Sequence, residues 1–594
     1  MYTSLLVALF ATAASKTIHV RNASSLQAVS LTTPTGTTLI LHEGEYELAS
    51  TLLVPTQVQI RAHAGHEVIL RLAPFKKHPV VLIQDGDNVL LSNLRIIGQT
   101  NATAPVQRRM AVEVLGGTNH TLDQLTISGG VMFSGGSRHT LTRSRVSNPH
   151  GASHGNCVYF NKAGDPTTLA SCNHTISHTE IHDCRGLGDP WPSSEHPCKP
   201  KPGKPCPTDP YPNITGNGVL INQVIGSNVS HNFVHDVNYH GIYTQARIHS
   251  RFPDPDETPS ALNIIAFNHI KDYGQCADQP TCNYTGASGK NGQPGADPGC
   301  IYFFDGPLCC YGQQVKHNFC HNTKRGMKGL YLDGDTSGIE TYGNVLLNIS
   351  GNIIDNNDGH DNHHFGNVAI NGHAMGSLTD CDFWGNKGGP FDLSGQVGHT
   401  CTPHFWDHYQ NYGTLNQTKW VSTFFDSPAW KAAFPQIQSW WRKTSWEGPR
   451  GAVSCDPKGQ FTDCCMFPTG TIANYSVMVN TPAGGTCAHN EAKYCNWHNI
   501  TNHYCGNTHA FDDPVGCWPD DAGFQSLGPQ KLYTSDPGFV DMAAGNFALK
   551  PTSRIFTDFP GFPPIPFGDI GPRFDNGHLA STGRRSRAGH DGSE

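Results

Sequence analysis

The chain has 594 residues, with 40 Lys and Arg against 48 Asp and Glu, a net charge of −8. Charged residues make up 15% of it, against about 25% in an average globular protein, while 37% hydrophobic residues and 64 glycines give the apolar content of a packed chain. Bulk disorder is excluded, because it needs low apolar content and high charge, and so is the basic stripe of a nucleic-acid binder.

Residues 5–14 form an apolar run followed by small residues, too short to span a bilayer. It reads as a secretory leader over 1–15. Eleven Asn-x-Ser/Thr sequons, at Asn22, Asn101, Asn119, Asn173, Asn213, Asn228, Asn283, Asn348, Asn416, Asn474 and Asn499, agree with export and glycosylation. All 20 cysteines follow residue 156 and none forms a zinc-ribbon Cys-x-x-Cys, so disulfides in an oxidising compartment are expected. Cys309-Cys310 and Cys464-Cys465 read as disulfide partners and not as nucleophiles. No later segment reaches about 18 uninterrupted apolar residues, so a soluble secreted monomer without a membrane span is expected.

From residue 37 onward, short β-branched runs alternate with Gly, Asn and Asp: Thr38–Leu41, Val80–Ile83, Val89–Leu91, Leu94–Ile97, Leu122–Ile127 and Val219–Ile221. Their length and period of two are those of strands. The runs repeat in kind: Asn228–Asp236 then Gly241-Ile-Tyr-Thr; Ile264–Asp272 then Ile301–Asp305; Val315–Asn322 then Gly329–Asp333; Ile339–Asn348. Asn318 and Asn344 are 26 apart. A period in the twenties with Asn at the bends predicts a β-solenoid, Asn being suited to left-handed bends and to bonding its equivalent one coil away. The expected organisation is β-helix over 16–400, a Trp- and Cys-rich insertion packed on it over 401–470, a C-terminal coil and closing segment over 471–573, and a disordered tail over 574–594. The insertion holds six of the ten tryptophans, Trp430 among them, and packing is favoured there over a sugar platform.

Four passages resemble one known family. They are Gly36–Tyr46, ending Gly44-Glu-Tyr46; Leu330-Tyr-Leu-Asp333-Gly-Asp335-Thr-Ser-Gly338 through Tyr342-Gly-Asn344-Val; Ser427-Pro-Ala-Trp430 through Phe434-Pro435; and Asp536–Asp541 with Phe547–Pro551, Ile565–Phe567 and Ile570-Gly571. Together they resemble secreted right-handed parallel β-helix proteins of the pectate-lyase-like superfamily, and more narrowly the β-helix enzymes of glycoside hydrolase family 141. The resemblance covers about residues 17–572. It implies an all-β, single-stranded right-handed parallel β-helix and a pair of Asp residues on successive coils; the disulfide-bonded loop insertions expected from the cysteines are additions to the family pattern. The second Asp of the family's Asp-Asp pair is Gly334 here.

Asp305 and Asp333 each end an aromatic strand on what read as successive coils, with Asp335 in reserve. Coils about 4.8 Å apart bring equivalent side chains near the spacing that glycosidase carboxylate pairs need. Aligning Tyr302 with Tyr331 offsets Asp305 by one. His240, Tyr243, Gln245, Tyr302 and Tyr331 are candidate substrate contacts, because aromatic faces stack on sugars and polar groups fix their oxygens. His363, Asn371 and His373 in the following His-rich coil are further candidates. That coil matches no zinc pattern, and Asp355–Gly359 lacks the Glu and the Gly position of a calcium loop. Neither a metal nor another cofactor is expected, calcium being the one held in reserve.

The leading expectation is an enzyme hydrolysing glycosidic bonds in an extracellular polysaccharide. The alternatives are a lyase or epimerase acting on uronic acids, for which Arg247, Lys271 and Lys324 are the nearest cations, and a non-catalytic carbohydrate-binding solenoid.

Overall fold

The computed structural model describes residues 16–73, 78–98, 110–148, 155–185, 216–246, 258–275, 298–304, 310–323, 327–333, 336–349, 353–357, 361–371, 378–379, 423–437, 445–448, 451–454, 472–474, 477–479, 526–527, 531–533 and 535–572. The leader at 1–15, Asp305, Asp335, His373 and the tail at 574–594 lie outside them.

Most coils contribute one strand to each of three parallel sheets. Among the described residues the first sheet has 14 strands and starts at Thr17–Val20, the second has 13 and starts at Gly44–Leu48, and the third has 11 and starts at Leu52–Leu53. After the first strand, chain order runs first, second, third and back to first through the body of the solenoid, so neighbours within a sheet are one coil apart. This is a right-handed parallel β-helix, the hand that parallel crossovers adopt in about 98% of cases.

The period-two pattern explains the strands. In the first sheet Leu91, Leu122, Leu141, Ile176, Val229, Ile265 and Val315 stack inward, each with 0% exposure, and their strand neighbours face out. Val81, Val112, Val131, Val158 and Val219 do the same in the third sheet. Each such side chain contributes roughly 1.5–3 kcal/mol on burial.

At the bend between the first and second sheets, Asn232, Asn268, Asn318, Asn344 and Asn367 form a buried ladder. Each amide donates to the next amide oxygen, at 3.0, 3.0, 3.0 and 2.9 Å, and each of those oxygens also accepts the backbone N–H of the preceding rung. The remaining amide hydrogen reaches a carbonyl, as from Asn318 to Ile265 at 2.9 Å. The expected coil-to-coil bonding is therefore present, but the left-handed residue is not the ladder Asn. It falls one position earlier, on His231, Phe267, His317, Gly343 and Gly366. Turning there leaves the Asn side chain free to point inward and bond.

A second bend ladder is built from imidazoles. His120, His139 and His174 are fully buried and stack with ring centroids 4.7 and 4.6 Å apart. Their Nδ1 atoms accept the backbone N–H of Val89, His120 and His139.

Further segments pack on the coils. A short helix at Ala23–Thr32, absent from the sequence reading, follows an Asn22 cap and buries Leu26. Near the other end, 535–572 lies over the outer side of the second sheet. There Phe539, Phe547, Ile555, Phe559 and Ile565 cover Phe319, Val345 and Val368. Trp430, on the helix Pro428–Ala433, is fully buried against Tyr311, Phe425 and Phe434, and its indole donates to the Pro166 carbonyl at 2.7 Å. It packs, as the sequence favoured. Disulfides join Cys157 to Cys184 and Cys300 to Cys320, and Cys310 is also disulfide-bonded. Among the described residues no helix is long and apolar enough to cross a membrane.

Candidate functional site

The outer face of the third sheet carries two columns of side chains. In the first, register places Tyr159, Leu220, Tyr243, Tyr302 and Tyr331 on successive rungs. In the second, Ser134, Asn161, Asn222, Gln245 and Phe304 follow one another. Amides link this column: Gln245 donates to Asn222 at 3.0 Å, Asn222 to Asn161 at 2.9 Å, and Asn161 to the Ser134 hydroxyl at 3.2 Å. Strands of period two make both columns, because alternate residues leave the same face.

Asp333 sits one residue past the strand Lys328–Leu332. Its N–H continues the ladder to the Phe303 carbonyl at 2.9 Å, which puts it on the rung after Phe304. The Tyr302 hydroxyl donates to Asp333 Oδ2 at 2.7 Å. Tyr302 faces Tyr243 and Tyr331 with ring centroids 5.0 and 4.9 Å away. Burial and then the Asp333 charge hold the Tyr302 phenol well above its ordinary value, so it stays a donor. Lys328 lies over Tyr331, its Nζ 3.3 Å from the ring centroid.

The Tyr302–Tyr331 register makes Phe304, and not Asp305, the coil neighbour of Asp333. Position 305 itself is outside the described residues, as is Asp335. Tyr243 and Gln245 are partly exposed on this face, while Tyr302 and Tyr331 show 6% and 3% of their surface. His240 is not a surface group: it is fully buried, stacked on Tyr302 at 3.9 Å and 7°. It lies in the layer beneath the tyrosines because its backbone N–H is held by Asn217 and its Nδ1 accepts from Gly299.

The His-rich coil does not join this face. His363 points outward from the first sheet, beside Glu340, while Asn362 and His364 point into the core, where His364 meets Thr341 at 2.8 Å. Asn371 is exposed after the second-sheet strand Val368–Ile370 and bonds Asn348. Three sheets facing three ways separate residues that are close in sequence. His373 lies outside the described residues. Among the described residues no group of three or more His, Cys, Asp or Glu is placed to hold a metal ion.

Sequence reading missed Lys328, Asn161 and Asn222. Arg247 and Lys324 lie outside the described residues, and Lys271 faces out from the second sheet over Phe233. The signal for Lys328 was its place at the head of the same strand as Tyr331.

Fold and surface together define a right-handed parallel β-helix protein with a tyrosine-lined outer face that holds a carboxylate, Asp333, beside its last tyrosine rung. No family model and no curated protein matches the chain. Solved structures are similar in part. The complex of XylC with xylose matches at 7% identity over 61% of this chain and 77% of that one, with a TM-score of 0.38. The Dettilon tailspike protein matches at 12% over 61% and 59%, with a TM-score of 0.35. PfbA, a surface adhesin of Streptococcus pneumoniae, matches at 11% over 59% and 83%, with a TM-score of 0.34. The match spans only 59% of the tailspike chain.

Proposed function

We propose that this chain is a secreted, carbohydrate-active β-helix enzyme that hydrolyses glycosidic bonds in an extracellular polysaccharide lying along the third sheet, as in the glycoside hydrolase family it resembles. Asp333 is the central carboxylate, with Asp305 as partner and Asp335 in reserve. The observation that carries this reading is the Tyr302–Asp333 hydrogen bond beside the last tyrosine rung of the strip. A buried phenol that fixes a carboxylate beside stacked aromatic rungs is an arrangement for presenting that carboxylate to a sugar. Rungs about 4.8 Å apart give the strip the repeat of an extended polymer. The disulfides support export.

Lys328 favours a second reading, elimination on a uronic-acid polymer. That chemistry needs a cation for the substrate carboxylate, and Lys328 stands over Tyr331 in the same strip.

Asp333→Asn tests both. Asn still accepts the Tyr302 hydrogen bond, so folding is spared, while loss of the carboxylate is expected to lower kcat/KM on the cleaved glycan by a hundredfold or more. Full activity in this variant removes Asp333 from the reaction. Ultraviolet-absorbing unsaturated products select elimination; saturated reducing ends select hydrolysis.

A further inference from the structure

His240 and Tyr302 read in the sequence as substrate contacts, and the structure buries both. What they touch suggests a different job. The Gly299 N–H donates to His240 Nδ1 at 3.1 Å, which fixes the neutral ring as the Nε2–H tautomer. The face of that ring covers the face of Tyr302, at 3.9 Å and 7°. Tyr239 closes on His240 at 3.9 Å, and Tyr243 and Tyr331 flank Tyr302. The Tyr302 ring therefore has no freedom to turn, and its hydroxyl is aimed at Asp333 Oδ2 at 2.7 Å.

We propose that His240 and Tyr302 are positioning residues: a column running from the Gly299 backbone through the imidazole and the phenol that sets the orientation and charge state of the Asp333 carboxylate. This rests on the reading of Asp333 given above. The column assigns Asp333 a role as well. A carboxylate oxygen that accepts from a permanent donor is held as a base or nucleophile, so the proton for the leaving group comes from another residue. Burial keeps both partners in the required form: His240 is held neutral by burial, with the Lys328 charge beside it adding to this, and the phenol is held protonated. Lys328 and Asp333 are the charged groups that burial and charge place against the column.

Tyr302→Phe removes the hydroxyl and keeps the ring stack. It is expected to lower kcat by on the order of tenfold to a hundredfold, with KM within about twofold, because the lost bond acts on the reacting group and not on sugar binding. The acid limb of the pH–rate profile should move up, as Asp333 loses the donor that favours its charged form. His240→Phe, which keeps a flat ring over Tyr302, should retain more activity than His240→Ala, which frees the phenol. A structural role alone would change the amount of folded protein and leave the acid limb where it was. If Asp333→Asn abolishes turnover while Tyr302→Phe leaves kcat and the acid limb unchanged, the column is wrong and the Asp333 reading stands. If Asp333→Asn keeps full activity, both fall.

Discussion

Acidifying the protein from pH 6.5 to about pH 4.5 is expected to remove on the order of 7 kcal/mol of stability through three imidazoles alone. His139, His174 and His364 are fully buried, and burial drives them down from 6.5 to about 3, about 4 and about 3. Their folded values lie below the unfolded one, so the unfolded chain binds more protons between pH 6.5 and those values. Stability is intact above pH 6.5 and falls as pH drops through the window, by about 1.4 kcal/mol per pH unit for each group. The geometry gives the same direction. In the His120–His139–His174 stack each Nδ1 already accepts a backbone N–H from the preceding coil, so a proton there must displace a coil-to-coil hydrogen bond. The total approaches the whole stability of a typical protein. The measurement is the urea midpoint, followed by circular dichroism, as a function of pH. His139→Asn and His174→Asn replace the imidazole with an amide, which accepts the same N–H and takes up no proton. They should flatten the acid slope. An acid slope unchanged when both are replaced would overturn the assignment.

Asn318→Ala is the second large loss, about 4 kcal/mol. Asn318 Oδ1 accepts from both the backbone and the side chain of Asn268, and its amide donates to Ile265 and Asn344. All of these groups are buried. Alanine strands the Asn268 backbone N–H, the Asn268 amide and the Ile265 carbonyl, each costing about 1–3 kcal/mol less whatever relaxation recovers, while Asn344 Oδ1 keeps the N–H of residue 318. The free energy of urea unfolding measures it, with Gln59→Ala on an exposed outer position as the control, expected within about 0.5 kcal/mol. A loss no larger than that of the control would mean the ladder is ornamental.

These two ladders differ in how far they were legible. The Asn ladder could be read from the sequence, because the repeat of Asn beside strand-like runs makes sense only if the side chain meets its equivalent one coil away. The left-handed bend was misplaced by one residue, since sequence shows which residues tolerate that conformation but not which of two neighbours turns. The imidazole ladder was not legible. His120, His139 and His174 sit at unequal spacings, 19 and 35 apart, because loops of different length intervene. Only the register of the sheets brings them into one column.

The candidate site shows the same division. Aromatic strands ending at Asp333 were visible as a motif, and so was the one-residue offset of Asp305. The Tyr302–Asp333 bond, the burial of His240 and the approach of Lys328 to Tyr331 were not, for they depend on which of three faces a strand takes. His363 and Asn371 lie a few tens of residues from Asp333, yet each leaves the solenoid through a different sheet.

The sequence by itself determined the class of fold: period-two runs, their repeat and the bend residues are local facts, and local facts accumulate along a solenoid in which each coil meets only its neighbours. The tertiary structure alone decided what shares a surface. The Trp430 indole meets Pro166 across 264 residues, and the closing segment at 535–572 covers Phe319 and Val345 on the second sheet. Such contacts follow from where a chain can return to bury apolar area, and no spacing along the sequence records it.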